Sequence, residues 1–220
     1  MREMKNPWED ISLDDYERHM SLDSVLQLQT MNSMMKEQFE AYDVYSAIIL
    51  GVAGGNGLEH VNTAKYRRIY GVDVNEAYLK AVAERYASMD GVLKCLHLDV
   101  AKNARMLPRA ELLIANLVIE YIGYSAFQSA IRQIEPQYVS CVIQINTDEG
   151  AWVSKSPYLH VFDGLADIHH QMEESTLTAA MNETGYSKIL QSTENLPNGK
   201  ALARLDYIKR PGHGIFGSLG

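Results

Sequence analysis

The segment Ala47-Ile48-Ile49-Leu50-Gly51-Val52-Ala53-Gly54-Gly55-Asn56-Gly57-Leu58 is an apolar run that breaks into a glycine cluster, and Asp73 closes the next apolar run, Ile69-Tyr70-Gly71-Val72. A buried strand ending in glycines lets the backbone turn sharply and pass close to a ligand, because glycine tolerates positive φ and has no side chain in the way. An acid closing the following strand can accept hydrogen bonds from both hydroxyls of a ribose. The glycines alone would also serve a plain strand-to-helix turn. With Asp73 at this remove they read as a nucleotide-type cofactor site.

Short runs of branched apolar residues at 47–50, 68–72, 92–98, 110–116 and 138–145 predict strands. Helical spacing at 76–87 and 125–134 predicts helices between them, and this alternation is the signature of parallel βαβ units in an α/β domain. Ahead of it, Leu22, Val25, Leu26, Leu28, Met31, Met34, Met35 and Phe39 recur at helical intervals, predicting one amphipathic helix over 21–42 behind a capping Ser21-Leu22-Asp23. Its methionines suit core packing more than a ligand pocket, which they could also line. Behind the fifth strand the pattern predicts a helix at 175–184 stopped by Gly185. A hairpin of 186–192 and 200–209 follows, turning at Leu196-Pro197-Asn198-Gly199. The chain thus divides into a helical cap over 1–45, one α/β domain over 46–210 and a flexible tail over 211–220.

At 220 residues the chain fits one domain with an appended cap. No apolar run approaches the ~20 residues needed to cross a bilayer, and the start lacks a secretory-type apolar stretch, so a cytoplasmic location is expected. A formal charge of −8, from 20 basic and 28 acidic residues, opposes nucleic acid and anionic membranes as partners. Cys95 and Cys141 lie in apolar strand-like runs and read as small buried hydrophobes, without disulfide or metal roles. Monomer and homodimer both remain open.

Two cofactor classes use a glycine turn followed by an acid: dinucleotides and S-adenosylmethionine. The dinucleotide fingerprint, glycine-any-glycine-any-any-glycine, fails here. From Gly51 it meets Ala53 and Asn56, and from Gly55 it meets His60. No second βαβαβ half follows Ile145.

In four motifs the chain resembles the class I S-adenosylmethionine-dependent methyltransferases. Leu50-Gly51-Val52-Ala53-Gly54-Gly55 is similar to the family's glycine motif, with Gly51, Ala53 and Gly55 at its small-residue positions. Gly71-Val72-Asp73-Val74-Asn75, Leu98-Asp99-Val100 and Leu113-Ile114-Ala115-Asn116-Leu117-Val118 are similar to the motifs of the next three strands. The words Tyr16-Glu17-Arg18-His19-Met20 and Val25-Leu26-Gln27-Leu28-Gln29 resemble those of a bacterial subgroup in which a helical cap precedes the glycine motif.

The resemblance implies a Rossmann-like three-layer sandwich around a mostly parallel seven-stranded sheet whose last strand is antiparallel. It implies that Gly51, Ala53 and Gly55 adjoin the methionine moiety and that Val52 and Asn56 also bind the cofactor. Asp73 would take the ribose, Val74, Asp99 and Val100 the adenine, and Asn116 and Leu117 would face the sulfonium. Tyr16 and Met20 would contribute from the cap. The acid usually found two positions before the first glycine is Ile49 here, so Asn116 or a group of the N-terminal helix must brace the loop instead.

The reaction so implied is methyl transfer to a small molecule at oxygen, nitrogen or carbon, with S-adenosylhomocysteine as product. It needs alignment and exclusion of water more than catalytic groups. A base, if used, would come from Glu120 or Tyr121, from Tyr16 or His19, or from His160, His169 or His170. Glu120 reads otherwise as a solvated helix-start carboxylate. His169-His170, near His160, Asp163, Asp167 and Glu173, superficially suggests a metal, but adjacent histidines on a strand point to opposite faces, and none is expected. The rival readings are a nicotinamide-dependent oxidoreductase and an inactive S-adenosylmethionine-binding module.

Overall fold

The computed structural model describes residues 5–146 and 152–211. Its sheet has seven strands: β1 (Ser46–Leu50), β2 (Arg68–Asp73), β3 (Leu93–His97), β4 (Leu112–Asn116), β5 (Tyr138–Ile145), β6 (Tyr186–Asn195) and β7 (Ala201–Lys209). Their order is β3-β2-β1-β4-β5-β7-β6, with β1 to β5 parallel and β7 antiparallel to both neighbours. This is the Rossmann-like sandwich implied by the resemblance.

Helices α1 (Leu13–Ser21) and α2 (Gln27–Glu40) precede the sheet. Helices α3 (Glu76–Arg85), α4 (Val100–Asn103), α5 (Ile119–Ile134) and α6 (Glu174–Glu183) follow successive strands, and short 3-10 turns occupy Pro7–Asp10 and Leu159–Leu165. Alternation along β1 sends Ile48 and Leu50 into one apolar layer, with Ile119, Phe127 and Ile131 of α5 and Leu177 and Met181 of α6. Ala47 and Ile49 enter the opposite layer, with Phe39 of α2 and Leu79 and Val82 of α3. Ile49 is therefore a core residue, and a carboxylate there would put an unpaired charge into an apolar layer.

The helix predicted over 21–42 is in fact two. Ser12 caps α1 by accepting the Asp15 N–H, and Ser21 ends that helix, its hydroxyl donating to the Arg18 carbonyl. Leu26, at φ +53, restarts the chain into α2. Apolar spacing survives the break because Val25 is fully buried between the helices, which conceals it from a periodicity count. Met31 and Met34 pack on Val142, Leu196 and Leu202, and Met35 packs in the α2–α3 layer, so the stripe is core. Helix α5 begins six residues before the predicted start. Gly123, at φ +73, kinks it and interrupts the apolar spacing.

Cys95 and Cys141 are both free. Among the described residues no helix is long and apolar enough to cross a membrane. The tail predicted over 211–220 lies, from 212 on, outside the described residues.

Candidate active site

Parallel strands leave their carboxyl ends, and the loops that follow them, along one edge of the sheet. There, under the N-terminal segment, lies a cavity walled by Gly51, Ala53, Asp73, Val74, Asp99, Val100, Asn116 and Leu117, with Tyr16, His19 and Met20 from α1. The first eight come from four strand ends, and all eleven were named from sequence. Gly51 has φ +69, and a Cβ there would lie 3.0 Å from Val118 Cγ2. Ala53 and Leu117, at φ +46 and +54, hold the left-handed conformation without being glycine, a local strain concentrated at the cavity.

Asp73 binds the loop to β2. Its carboxylate accepts the backbone N–H groups of Ala53 and Asn75, each at 2.9 Å. Burial pushes the carboxyl above its ordinary value against the pull of these bonds. Asp99 caps α4, accepting the Ala101 N–H at 3.0 Å.

At Asn116 the side-chain amide pairs head to tail with Gln38 of α2: Gln38 Nε2 donates to Asn116 Oδ1 at 2.9 Å and Asn116 Nδ2 to Gln38 Oε1 at 2.8 Å. Gln38 also donates to Ser140 Oγ at 2.8 Å, and Ser140 donates in turn to Asp206. Buried Arg204 pairs with Asp206 at 2.6 Å. The N-terminal helix α2 thus supplies an amide contact to Asn116 at the cavity wall.

Val52, Gly55 and Asn56, expected beside the cofactor, are not among the residues that wall the cavity. Val52 is buried in the layer of Ile49. Gly55 accommodates Tyr86, whose hydroxyl donates to the Gly55 carbonyl at 2.8 Å; a Cβ at Gly55 would come within 2.7 Å of that ring. Asn56 donates to the Leu28 carbonyl at 2.8 Å and accepts from Asn32 at 3.0 Å. These residues fit the loop to its neighbours. Gly54 does the same for α1, since a Cβ there would clash with Glu17 Oε1. Glu17 is ion-paired with Arg85, which also donates to the Gly54 carbonyl at 3.0 Å. Asn75 Nδ2 donates to the carbonyls of Trp8, at 3.0 Å, and Ile11, at 3.2 Å. The N-terminal segment is therefore pinned across the glycine loop.

Glu120 is not solvated as expected. It is 4% exposed, its Oε1 accepts the Gln144 N–H at 2.7 Å, and burial raises its carboxyl to about 7. Burial lowers Lys200, whose charge acts on Glu120, to about 8, and its Nζ donates to the Trp152 carbonyl. Tyr121 lies with its ring centroid 4.9 Å from Trp8 and 5.8 Å from His169, which stacks on Trp152 at 4.2 Å. His19 Nδ1 is 2.7 Å from Ser156 Oγ, and its ring centroid is 4.7 Å from that of Phe162. Burial lowers the pKa of both His19 and His169.

His160 and His170 do not join them. His160 is exposed beside Asp163 at 3.2 Å, and His170 lies near Gly123. Among the described residues no group of three His, Cys, Asp or Glu side chains could hold a metal.

Sequence reasoning missed Tyr78, Gln144, Trp8 and Trp152, which also wall the cavity. Tyr78 is 2% exposed, and its hydroxyl has no hydrogen-bond partner among the described residues. No motif marks it. For Trp152 the available signal was the density of aromatic residues between 152 and 170; Trp8 and Gln144 carry none.

No family model matches the sequence, and no curated protein matches it significantly. Solved structures do match in shape. The magnesium protoporphyrin IX methyltransferase of Synechocystis PCC 6803, with bound S-adenosylhomocysteine, is similar with TM-score 0.66 and 11% identity, over 89% of this chain and 93% of that one. The N-methyltransferase NodS of Bradyrhizobium japonicum WM9, in complex with S-adenosylhomocysteine, gives 0.61 and 11%, over 90% and 98%. The cyclase SpnF gives 0.63 and 10%, over 83% and 82%. Such identities speak to architecture and leave the reaction to the site. The strand order and antiparallel β7 found here, shared over most of the chain with these structures, make this the fold of the class I S-adenosylmethionine-dependent methyltransferases.

Proposed function

We propose that this protein binds S-adenosylmethionine in the cavity at the carboxyl edge of the sheet and transfers its methyl group to a small molecule. The observation that carries this reading is the convergence of Gly51, Asp73, Asp99 and Asn116, from four consecutive parallel strands, on one cavity. In it Asp73 accepts the ribose hydroxyls and Asp99 the adenine amine, with Val74 and Val100 against the ring. Asn116 and Leu117 face the sulfonium, and Tyr16 and Met20 close over the cofactor.

The donors and acceptors fit such a ligand. The buried, unpartnered hydroxyl of Tyr78 awaits a polar group that the described residues do not supply. The positive φ of Gly51 brings backbone rather than side chain to the cavity wall. The bound cofactor supplies a methyl group on a sulfonium that leaves as a neutral thioether. The chain's own work is to align the acceptor with that methyl and to keep water out. Trp8, Tyr16 and Met20 cover the site, which suits a small acceptor. After β5 the chain forms α6 and the β6–β7 hairpin instead of a second nucleotide-binding half, which weighs against a dinucleotide.

Thermal melting tests the reading. At a hundredfold excess over Kd, S-adenosylhomocysteine is expected to stabilise the protein by about 2.7 kcal/mol, with no shift from NAD. A shift with NAD and none with S-adenosylhomocysteine would overturn it.

A further inference from the structure

Beyond the strand ends that would serve the cofactor, the cavity is walled by rings and one buried acid. Trp8, Tyr121, Trp152 and His169 form a continuous aromatic wall. Tyr121 sits edge-on to Trp8 and lies 6.4 Å from Trp152 in an edge-to-face arrangement, and Trp152 stacks on His169. Glu120, next to Tyr121 in the first turn of α5, is nine-tenths buried and reaches the same cavity. Only one carboxylate oxygen is engaged among the described residues, by the Gln144 N–H. Gln144 Nε2 in turn donates to the Trp152 carbonyl at 2.8 Å, so a single residue ties the acid to the aromatic wall.

The charge balance is one-sided. Asp73, Asp99 and Glu120 line the cavity, and no Lys or Arg lines it among the described residues. Lys200 acts on Glu120 from behind the wall, with its amine on the Trp152 carbonyl. A carboxylate or phosphate on the acceptor would meet repulsion and unmatched desolvation here. A cation would meet π faces and an acid.

We infer that the methyl acceptor is an amine, held as its ammonium ion between the Glu120 carboxylate and the rings of Trp8, Tyr121 and Trp152. The inference rests on the methyltransferase reading and specifies its acceptor. An ammonium nitrogen has no free electron pair, so it must lose a proton before it can attack. The N–H bond breaks and the proton passes to the unengaged oxygen of Glu120. The freed pair on nitrogen then forms the N–C bond to the methyl carbon while the C–S bond breaks, its electrons remaining on sulfur. A carboxyl that burial holds near neutrality is matched to that proton transfer.

The test uses full-length protein first titrated with S-adenosylhomocysteine alone; failure at this step is failure of the cofactor reading. The saturated protein is then titrated, by tryptophan fluorescence, with three probes of similar shape: phenethylamine, phenethyl alcohol and hydrocinnamate. The amine is expected to bind at least about tenfold more tightly than either other probe, because only it satisfies the buried acid. Glu120→Gln should abolish that preference while S-adenosylhomocysteine still binds, and Trp152→Leu should weaken the amine without inverting the order. No binding of the amine, equal or tighter binding of the alcohol or the acid, or an unchanged preference in Glu120→Gln would overturn the inference.

Discussion

The side-chain amides of Gln38 and Asn116 are paired head to tail, at 2.9 and 2.8 Å, across the junction of α2 and the end of β4. Through this pair a helix that precedes the α/β domain fixes the orientation of a residue on the cavity wall. Replacing Gln38 by Ala leaves Asn116, and with it Ser140, short of a buried partner. Each orphaned group costs about 1–3 kcal/mol. A fall of that size in unfolding free energy is expected in urea denaturation, together with weaker S-adenosylhomocysteine binding. Unchanged stability would show that the pair contributes nothing.

A different balance governs the clasp of Glu17 and Arg85 over the glycine loop. Both side chains are partly exposed, so the ion pair is screened and contributes at most about 1 kcal/mol. Glu17→Ala is expected to leave the melting temperature nearly constant and to speed cofactor release, because α1 loses its hold on Arg85. Stopped-flow displacement of S-adenosylhomocysteine measures this, and an unchanged dissociation rate would contradict a covering role for α1.

Glu120 makes stability depend on pH. Burial raises its carboxyl from 4.5 to about 7, so the folded state holds the proton more tightly than the unfolded chain. Stability from this group is therefore full below 4.5, declines as pH rises, and is lost above about 7. Lys200 stays charged throughout this window, since its pKa is lowered only to about 8. His19 and His169, also walling the cavity, have pKa values that burial lowers from 6.5, an ordinary value inside this window, so the Glu120 share must be read as a difference between proteins. Glu120→Gln should melt above the parent at neutral pH, by a margin on the order of 3 kcal/mol at most, and the margin should shrink toward pH 4.5. A margin independent of pH would contradict the assignment.

The strands and the strand-end half of the cavity wall were legible in sequence because they depend on local signals. Near-continuous runs of apolar residues, buried on both faces of the sheet, made β1 and β5 visible, and Asp73, Asp99 and Asn116 each sit at or just beyond a strand end. What the sequence concealed depends on tertiary packing. Three positions of the glycine cluster, Gly54, Gly55 and Asn56, serve Glu17, Tyr86 and Leu28, contacts made with helices distant in the chain. Val25 bridges the gap between α1 and α2 and masks the break. Glu120 looked solvated because its first-turn position says nothing of β5 and Trp152 closing over it, and Tyr78 lies on a helix face that no periodicity distinguishes from core.

The proposed function requires that Asp73 and the glycine loop hold S-adenosylmethionine. Isothermal titration of the protein and of Asp73→Ala with S-adenosylhomocysteine, with NAD as control, tests it most directly. Micromolar or tighter binding to the parent is expected, with a Kd weakened roughly 10- to 150-fold in the variant by loss of bonds of about 1.5–3 kcal/mol to a charged group, and no heat with NAD. No binding of S-adenosylhomocysteine, or an unchanged Kd in Asp73→Ala, would contradict it.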